Sequence, residues 1–152
     1  MSRKQRFVIL AALFAATASV WAAGTSAAAK SLVTARVAPG QTVTALETQH
    51  FTQTLTCTKV CDVTTTLTIS LGDAKALGFR AAQGAPNRVT IASSYIRLKP
   101  NAPTRVGFVL SADGKKLLPK AKSGLHVLGN LTAFAKDNPK VPTTTGWNVT
   151  LK

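Results

Sequence analysis

Side chains that could act as general bases are few in this 152-residue chain. The histidines are His50 and His126, and nucleophilic catalysis requires such a base beside a serine, threonine or cysteine. The pattern predicts both at polar positions, His50 at a strand boundary and His126 opposite the apolar face of a strand. Glycoside hydrolysis requires two converging carboxylates. Four of the five acids have turn-like neighbours that favour local hydrogen bonds instead, namely Asp62, Asp73, Asp113 and Asp137.

The two cysteines, Cys57 and Cys61, are four positions apart. A redox pair would have the spacing C-x-x-C, and zinc would need further ligands that the two histidines do not supply at finger spacing. In an oxidising compartment the default for such a pair is a disulfide. The bridge would pin a tight turn between strands and contribute about 2 kcal/mol in the chain-entropy model. We expect no metal and no other cofactor.

The first 29 residues have the organisation of a secretory signal peptide, with basic residues before an uncharged run over 7–20 and small residues after it. A signal peptidase site is expected before Lys30, with a position near Ala23 as the alternative. An uncleaved anchor is the other interpretation, but the segment is weakly apolar over its second half. We expect residues 30–152 to form one bacterial domain that is secreted or associated with the cell envelope, with no stable membrane insertion after cleavage.

The expected mature domain is strongly basic. The chain has 19 Lys and Arg, three of them before position 7, against five acids, which leaves a net charge of +11 for the domain. A basic surface attracts anionic partners, which outside the cell are envelope polymers rather than nucleic acid. The predicted binding surface is the densest basic group, made of Lys115, Lys116, Lys120 and Lys122. A solvated edge that discourages strand aggregation explains the same lysines.

From Ser31 onward apolar residues alternate with a period of two, which is typical of half-buried antiparallel strands. The clearest strand covers 63–71. Others are expected at 32–37, 42–48, 51–57, 89–92, 95–98, 104–110, 125–135 and 147–151. Residues 74–77 suit a helical turn, and Ser111 can cap a short helical crossover near 112–118. Seven to nine strands without βαβ alternation predict an all-β, antiparallel, two-sheet sandwich, with a barrel as the alternative.

Three strand features bear on binding. A threonine-rich face could bind carbohydrate if it is flat, although threonine is also ordinary strand surface; its members are Thr64, Thr66, Thr68, Thr143, Thr144 and Thr145. Tyr95 and Trp147 could stack on sugars, but Trp147 is in phase with the apolar residues of the last strand and is better interpreted as core. Gly129 interrupts an apolar face and is expected to mark a bulge.

The order of motifs between Cys57 and Lys152 is that of a known class of domain. The motifs are the Cys57 and Cys61 pair leading into an alternating strand, the strand end at 106–111, the run 114–118, the strand 125–135, the turn Asp137-Asn138 and the terminal 149–152. In these motifs the chain resembles the immunoglobulin-like or fibronectin-like modules of secreted bacterial proteins. It departs from them at Asp62 and Pro139, where glycine is usual. The resemblance implies an immunoglobulin-like sandwich with a structural or adhesive role and brings no catalytic residues.

The sequence therefore leads to three functional hypotheses. In the first, a secreted, non-enzymatic β-sandwich binds anionic envelope or extracellular components through its loops and basic surface. In the second, the chain is a structural or assembly subunit that associates with other exported proteins through edge strands. The third is a hydrolase or a hydrolase inhibitor.

Overall fold

A computed structural model describes residues 31–122 and 124–152. The predicted signal peptide, residues 1–29, lies outside the described residues. The strands are β1 (Val33–Val37), β2 (Thr52–Cys57), β3 (Cys61–Ser70), β4 (Arg88–Leu98), β5 (Thr104–Gly107), β6 (Val109–Leu110), β7 (Leu125–Ala135) and β8 (Asn138–Leu151). The helices are α1 (Val43–Glu47), α2 (Leu71–Ala76) and α3 (Ala112–Leu117), and a 3-10 turn (Leu118–Lys120) follows α3.

The strands form two antiparallel sheets, one with the order β1-β2-β5 and one with the order β6-β4-β3-β7-β8. This confirms the predicted all-β, antiparallel, two-sheet architecture, and α3 is the predicted helical crossover. Alternation is what the sequence shows most clearly, and β7 follows it from end to end, with every second residue buried. Most predicted strands have their structural counterpart for this reason.

The chain crosses between the sheets three times, and the two shortest crossings are those after β2 and after β5. At the first, a disulfide joins Cys57 at the end of β2 to Cys61 at the start of β3, with 6.4 Å between the two Cα atoms. At the second, Phe108 lies between β5 of one sheet and β6 of the other. The single strand predicted over 104–110 is therefore wrong, although its inward side chains are buried as expected. The chain keeps its extended direction there and changes its pairing partner.

The core has two apolar parts separated by a buried polar pair. Gln53 of β2 is 1% exposed, Thr65 of β3 is fully buried, and Nε2 of Gln53 donates to Oγ1 of Thr65 over 2.8 Å. On one side lies a cluster that includes Phe51 and Leu67, and on the other a cluster that includes the disulfide and Leu55. The pair thus marks a fixed position at which β2 must lie against β3.

The strand predicted over 42–48 is wrong, because these residues form α1. Oγ1 of Thr42 accepts a hydrogen bond from the backbone N–H of Ala45 over 3.0 Å, which caps the helix. Val43 and Leu46 are buried, and this separation of three residues places both on one face of a single helical turn. The alternating pattern here could not distinguish a short capped helix from a strand.

Gly129 does not mark a bulge. It is buried in regular pairing opposite Trp147, and the indole ring occupies the space that a side chain at 129 would fill. The irregularity in the β7–β8 ladder falls between Phe134 and Ala135. The strands predicted at 89–92 and 95–98 are one continuous strand, β4, and the closing strand begins at Asn138 rather than at 147. Glycine is required at 129 for close packing, not for a change of register.

The polar pair in the core gives a stability prediction. Thr65→Val removes the acceptor of the Gln53 amide and leaves a buried donor unpaired, so we expect a loss of about 1–3 kcal/mol in the free energy of unfolding. The double variant Gln53→Met with Thr65→Val removes both polar partners and should lie within about 1 kcal/mol of the parent. Equilibrium urea unfolding measures both. A double variant that loses as much as the single one would contradict this account.

Candidate anion-binding cleft

A cleft of about 470 Å³ lies at the end of the sandwich that carries α2 and α3. Its walls come from two parts of the chain, the segment that follows α2 and the segment formed by α3 with the 3-10 turn. The lining residues are Gly78, Phe79, Arg80, Asp113, Lys116, Leu117 and Lys120. We call this site the basic cleft, because three of its side chains are cations and one is an acid.

The wall that follows α2 is set by both ends of that helix. Oγ of Ser70 accepts from the backbone N–H of Asp73 over 2.9 Å and caps the start. At the other end Gly78 has φ of +91°, its N–H donates to the carbonyl of Lys75, and the N–H of Phe79 donates to the carbonyl of Ala74. These two bonds form a Schellman motif, which closes the helix. The motif turns the chain so that Phe79 and the following arginine face the cleft.

The opposite wall is set by the start of α3 and by a close approach to β4. Oγ of Ser111 accepts from the N–H of Gly114 over 2.9 Å and donates to the carbonyl of Thr90 over 2.7 Å, so one hydroxyl ties the helix to the sheet. Gly114 is buried against the backbone of Ile91, and a Cβ there would overlap the Ile91 carbonyl. The missing side chain lets α3 lie on β4, and this contact fixes the position of Lys116.

The basic cleft combines positive charge with an apolar floor. Arg80, Lys116 and Lys120 are exposed, whereas Leu117 beneath them is 3% exposed and Phe79 is half-buried. Nζ of Lys120 reaches across the cleft to within 3.4 Å of the position that a Cβ of residue 78 would occupy. None of these three cations forms an ion pair with a carboxylate in the described part of the chain. Their N–H donors are therefore available to an anionic ligand.

The four predicted lysines are only partly brought together. Lys116 and Lys120 line the basic cleft, while Lys122 lines a smaller depression beside Asp73, and Lys115 is exposed on α3 outside both. Two further lining residues, Phe79 and Arg80, are not predicted by the sequence pattern. The signal that could have found them is the run Leu77-Gly78-Phe79, since glycine followed by an apolar residue after a helix is typical of the Schellman motif.

The sequence matches no protein-family model, and no curated protein matches it. The longest helices within residues 31–122 and 124–152 have six residues, so none of the helices there qualifies as a membrane span. The same ranges hold no group of three or more His, Cys, Asp or Glu side chains placed to bind a metal ion.

Both histidines and Asp137 have hydrogen-bond partners in the structure. Nδ1 of His50 lies 2.9 Å from Oγ1 of Thr48, and Nδ1 of His126 lies 2.9 Å from Oγ1 of Thr150. Both histidines are exposed, as predicted. Asp73 and Asp113 lie in the first turns of α2 and α3. Asp137 follows β7 and is paired with Lys59, whose hydrogen bond lowers the pKa of the carboxyl below its ordinary value.

The prediction that Asp62 lies in a turn is wrong. It is the second residue of β3, and its carboxylate accepts two hydrogen bonds from Arg97 on β4, over 2.7 and 2.9 Å. The hydrogen bond from Arg97 is the main cause that lowers the pKa of Asp62. The residues are paired neighbours in the ladder, a long-range relation that the local sequence pattern cannot indicate.

The predicted threonine-rich face is also divided. On β3, Thr64, Thr66 and Thr68 lie on the outer side of the five-stranded sheet, because Thr65 between them is buried in the core. On β8 the three consecutive threonines alternate, with Thr144 exposed on the outer side and Thr143 and Thr145 half-buried on the inner side. One threonine of that run, not three, joins the outer face.

The close approach of α3 to β4 can be tested with a matched pair of glycines. Gly114→Ala places a methyl group on the Ile91 carbonyl, so we expect a loss of about 1–3 kcal/mol in the free energy of unfolding and a displaced cleft wall. Gly72→Ala in α2 meets only Oγ of Ser70 at 3.6 Å and should be neutral or stabilising by up to about 1 kcal/mol. Chemical denaturation measures both. Equal effects of the two substitutions would show that the approach at Gly114 is unimportant.

Proposed function

We propose that this is an exported, non-enzymatic protein that binds anionic polymers of the cell envelope or the extracellular space through the basic cleft. The observation that carries the proposal is the convergence of Arg80, Lys116 and Lys120 from two separate segments around an apolar floor. Cations that only keep a protein soluble do not have to line one concave site, whereas cations that bind the same ligand do. The high net charge of the domain adds long-range attraction for the same ligands.

Export is supported by two features that lie far apart in the chain. Residues 1–29 have the charge and hydrophobicity pattern of a cleaved signal peptide. The disulfide between Cys57 and Cys61 fits an oxidising compartment. We therefore propose that residues 30–152 are the mature domain and that it works outside the cytoplasm.

We also propose that the domain is a bacterial immunoglobulin-like or fibronectin-like module. Support comes from the resemblance of residues 57–152 to these modules. The two antiparallel sheets and the cysteine pair at the crossing between them add to it. Such modules imply adhesion or structure rather than catalysis. This agrees with a function in which binding through the basic cleft is the activity itself.

The chemistry of the basic cleft favours carboxylate or phosphate groups carried on a chain. Arginine offers a planar fork of donors to such groups, and lysine offers a point charge. Because the three cations are exposed, salt must weaken the attraction strongly: the Debye length falls from about 30 Å at 0.01 M to about 3 Å at 1 M ionic strength. Salt-sensitive binding is therefore the property to measure.

A charge-matched pair of triple variants tests this function. In the cleft variant, Arg80, Lys116 and Lys120 are each replaced with Glu. In the control variant Arg105, Lys99 and Lys140 are replaced with Glu; all three are exposed and line no part of the basic cleft. Both variants lose the same net charge. Protein expressed from the full chain is titrated with polyphosphate and with envelope fragments at about 0.01 M and about 1 M ionic strength.

We expect the cleft variant to bind the polyanion about tenfold more weakly than the parent at low salt, and the control variant to stay within about threefold of the parent. High salt should remove most of the binding of every protein. If the two variants lose affinity equally, net charge and not the cleft governs binding. No binding by the parent at low salt would refute the proposed function.

A second candidate function, association through an edge strand, is favoured by β8. This strand is an open edge of the five-stranded sheet, and residues 143–151 contain neither a charge nor a proline. Natural sheets usually protect such edges with lysine, proline, bulges or short strands. The opposite edge, β6, has only two residues, and β1 and β5 each carry an arginine. The unprotected edge fits an assembly subunit that pairs with another exported strand.

Lysines placed on this edge test the second candidate. The variant Thr144→Lys with Asn148→Lys adds two charges to exposed positions of β8, which should abolish a concentration-dependent oligomer if β8 is the pairing edge. The matched control, Thr64→Lys with Asn130→Lys, adds the same charges to exposed positions of the interior strands β3 and β7 and should leave the oligomer intact. Sedimentation velocity over a range of concentrations measures both. A parent that stays monomeric at every concentration eliminates self-association.

A further inference from the structure

The outer face of the five-stranded sheet carries two exposed apolar side chains that do not line the basic cleft. Tyr95 of β4 is 67% exposed and Val109 of β6 is 64% exposed. Val109 is paired with Ser93, so Tyr95 is its diagonal neighbour on the same face, about 7–8 Å away between Cα atoms. Most large apolar side chains in the described part of the chain are buried, and this pair therefore requires an explanation.

Polar groups hold the tyrosine in one orientation. The Tyr95 hydroxyl donates to Oδ1 of Asp62 over 3.2 Å, and the same carboxylate accepts from Nε and from one terminal nitrogen of Arg97. Arginine has five N–H donors, so Arg97 keeps three for a ligand. Because the three side chains are already ordered, little of their conformational entropy is lost when a ligand binds to them.

A row of hydroxyl groups leads away from the tyrosine across the sheet. Tyr95 is paired with Thr64, Thr64 with Thr132, and Thr132 with Thr144. Neighbouring strands lie about 4.8 Å apart, so the four side chains repeat at that interval across β4, β3, β7 and β8. The interval is close to the length of one hexopyranose ring in an extended polysaccharide.

The chemistry of this face matches the two sides of a sugar ring. A hexopyranose with equatorial hydroxyls presents axial C–H groups on its ring faces, and these are attracted to the negative face of an aromatic ring. Its hydroxyl rim can donate to Asp62 and accept from Arg97 and Thr64. Since the charges of Asp62 and Arg97 are paired with each other, the group formed by Tyr95, Thr64 and this ion pair has no net charge of its own. It suits a neutral chain rather than the anionic polymer proposed for the basic cleft.

We propose that this face is a sugar-binding platform for neutral polysaccharides of β-1,4-linked, equatorially hydroxylated hexopyranoses. The platform is formed by Tyr95, Val109, Asp62, Arg97 and Thr64. One ring stacks on Tyr95, its hydroxyls bond to the ion pair, and the chain continues along the threonine row. The platform is independent of the basic cleft and does not rest on the proposed binding of anions.

Co-sedimentation with microcrystalline cellulose and with chitin tests the platform, using protein expressed from the full chain. We expect the parent to bind at least one of the two polymers at both low and high salt. Tyr95→Ala should weaken binding about tenfold, since it removes the stacking surface. Tyr95→Phe keeps the ring and should stay within about threefold of the parent. The control Val141→Ala removes a side chain that is 61% exposed elsewhere on the protein and should bind like the parent.

The outcomes that would overturn the platform are distinct from those that bear on the basic cleft. Failure of the parent to bind either polymer overturns it, as does binding that survives Tyr95→Ala or is lost equally in Tyr95→Phe. The cleft variant with Arg80, Lys116 and Lys120 replaced by Glu should bind the polymers like the parent. If that variant no longer binds the polymers, polymer binding belongs to the basic cleft and the platform is refuted. If only polyanion binding fails, the platform is unaffected.

Discussion

The disulfide between Cys57 and Cys61 joins the last residue of β2 to the first residue of β3, so the covalent tie lies where the chain crosses between the sheets. Since three residues separate the cysteines, β2 has to lie against β3, which brings Gln53 to Thr65 within the core. Other turns dock on the same point: the N–H of Asn101 donates to the Cys57 carbonyl, and that of Lys136 to the Val60 carbonyl. The bridged end of the sandwich is thereby fixed.

The other end of β3 has different properties. Ser70 is nine positions after Cys61 in the extended strand, which places the end of the strand about 30 Å away from the bridge. There the connections are longer, and they form α2, α3 and the 3-10 turn. A rigid framework that carries variable connections is the usual way in which folds position binding groups. The Schellman motif after α2 and the close approach of Gly114 to β4 supply that positioning for the basic cleft.

The sequence predicted the parts of the fold that depend on local pattern. The alternation in β3 and β7, the Ser111 cap and the cysteine pair are each readable from neighbouring residues, and the structure has all of them. What it missed depends on pairing between distant residues. The residues around Asp62 predict a turn, because its strand partner Arg97 is 35 positions away. The pattern does not predict the wall of the cleft that carries Arg80, because Arg80 is more than 30 positions from Lys116 and Lys120 and only the fold brings them together.

A titration of the isotope-labelled protein with polyphosphate, followed by NMR of the backbone amides, shows whether the basic cleft binds an anion as one site. If the basic cleft is one site made by two segments, the amides of Phe79 and Arg80 will shift together with those of Lys116 and Lys120, along one binding curve. Shifts spread over exposed lysines elsewhere, such as Lys59, Lys99 and Lys140, or confined to only one of the two segments, would contradict it.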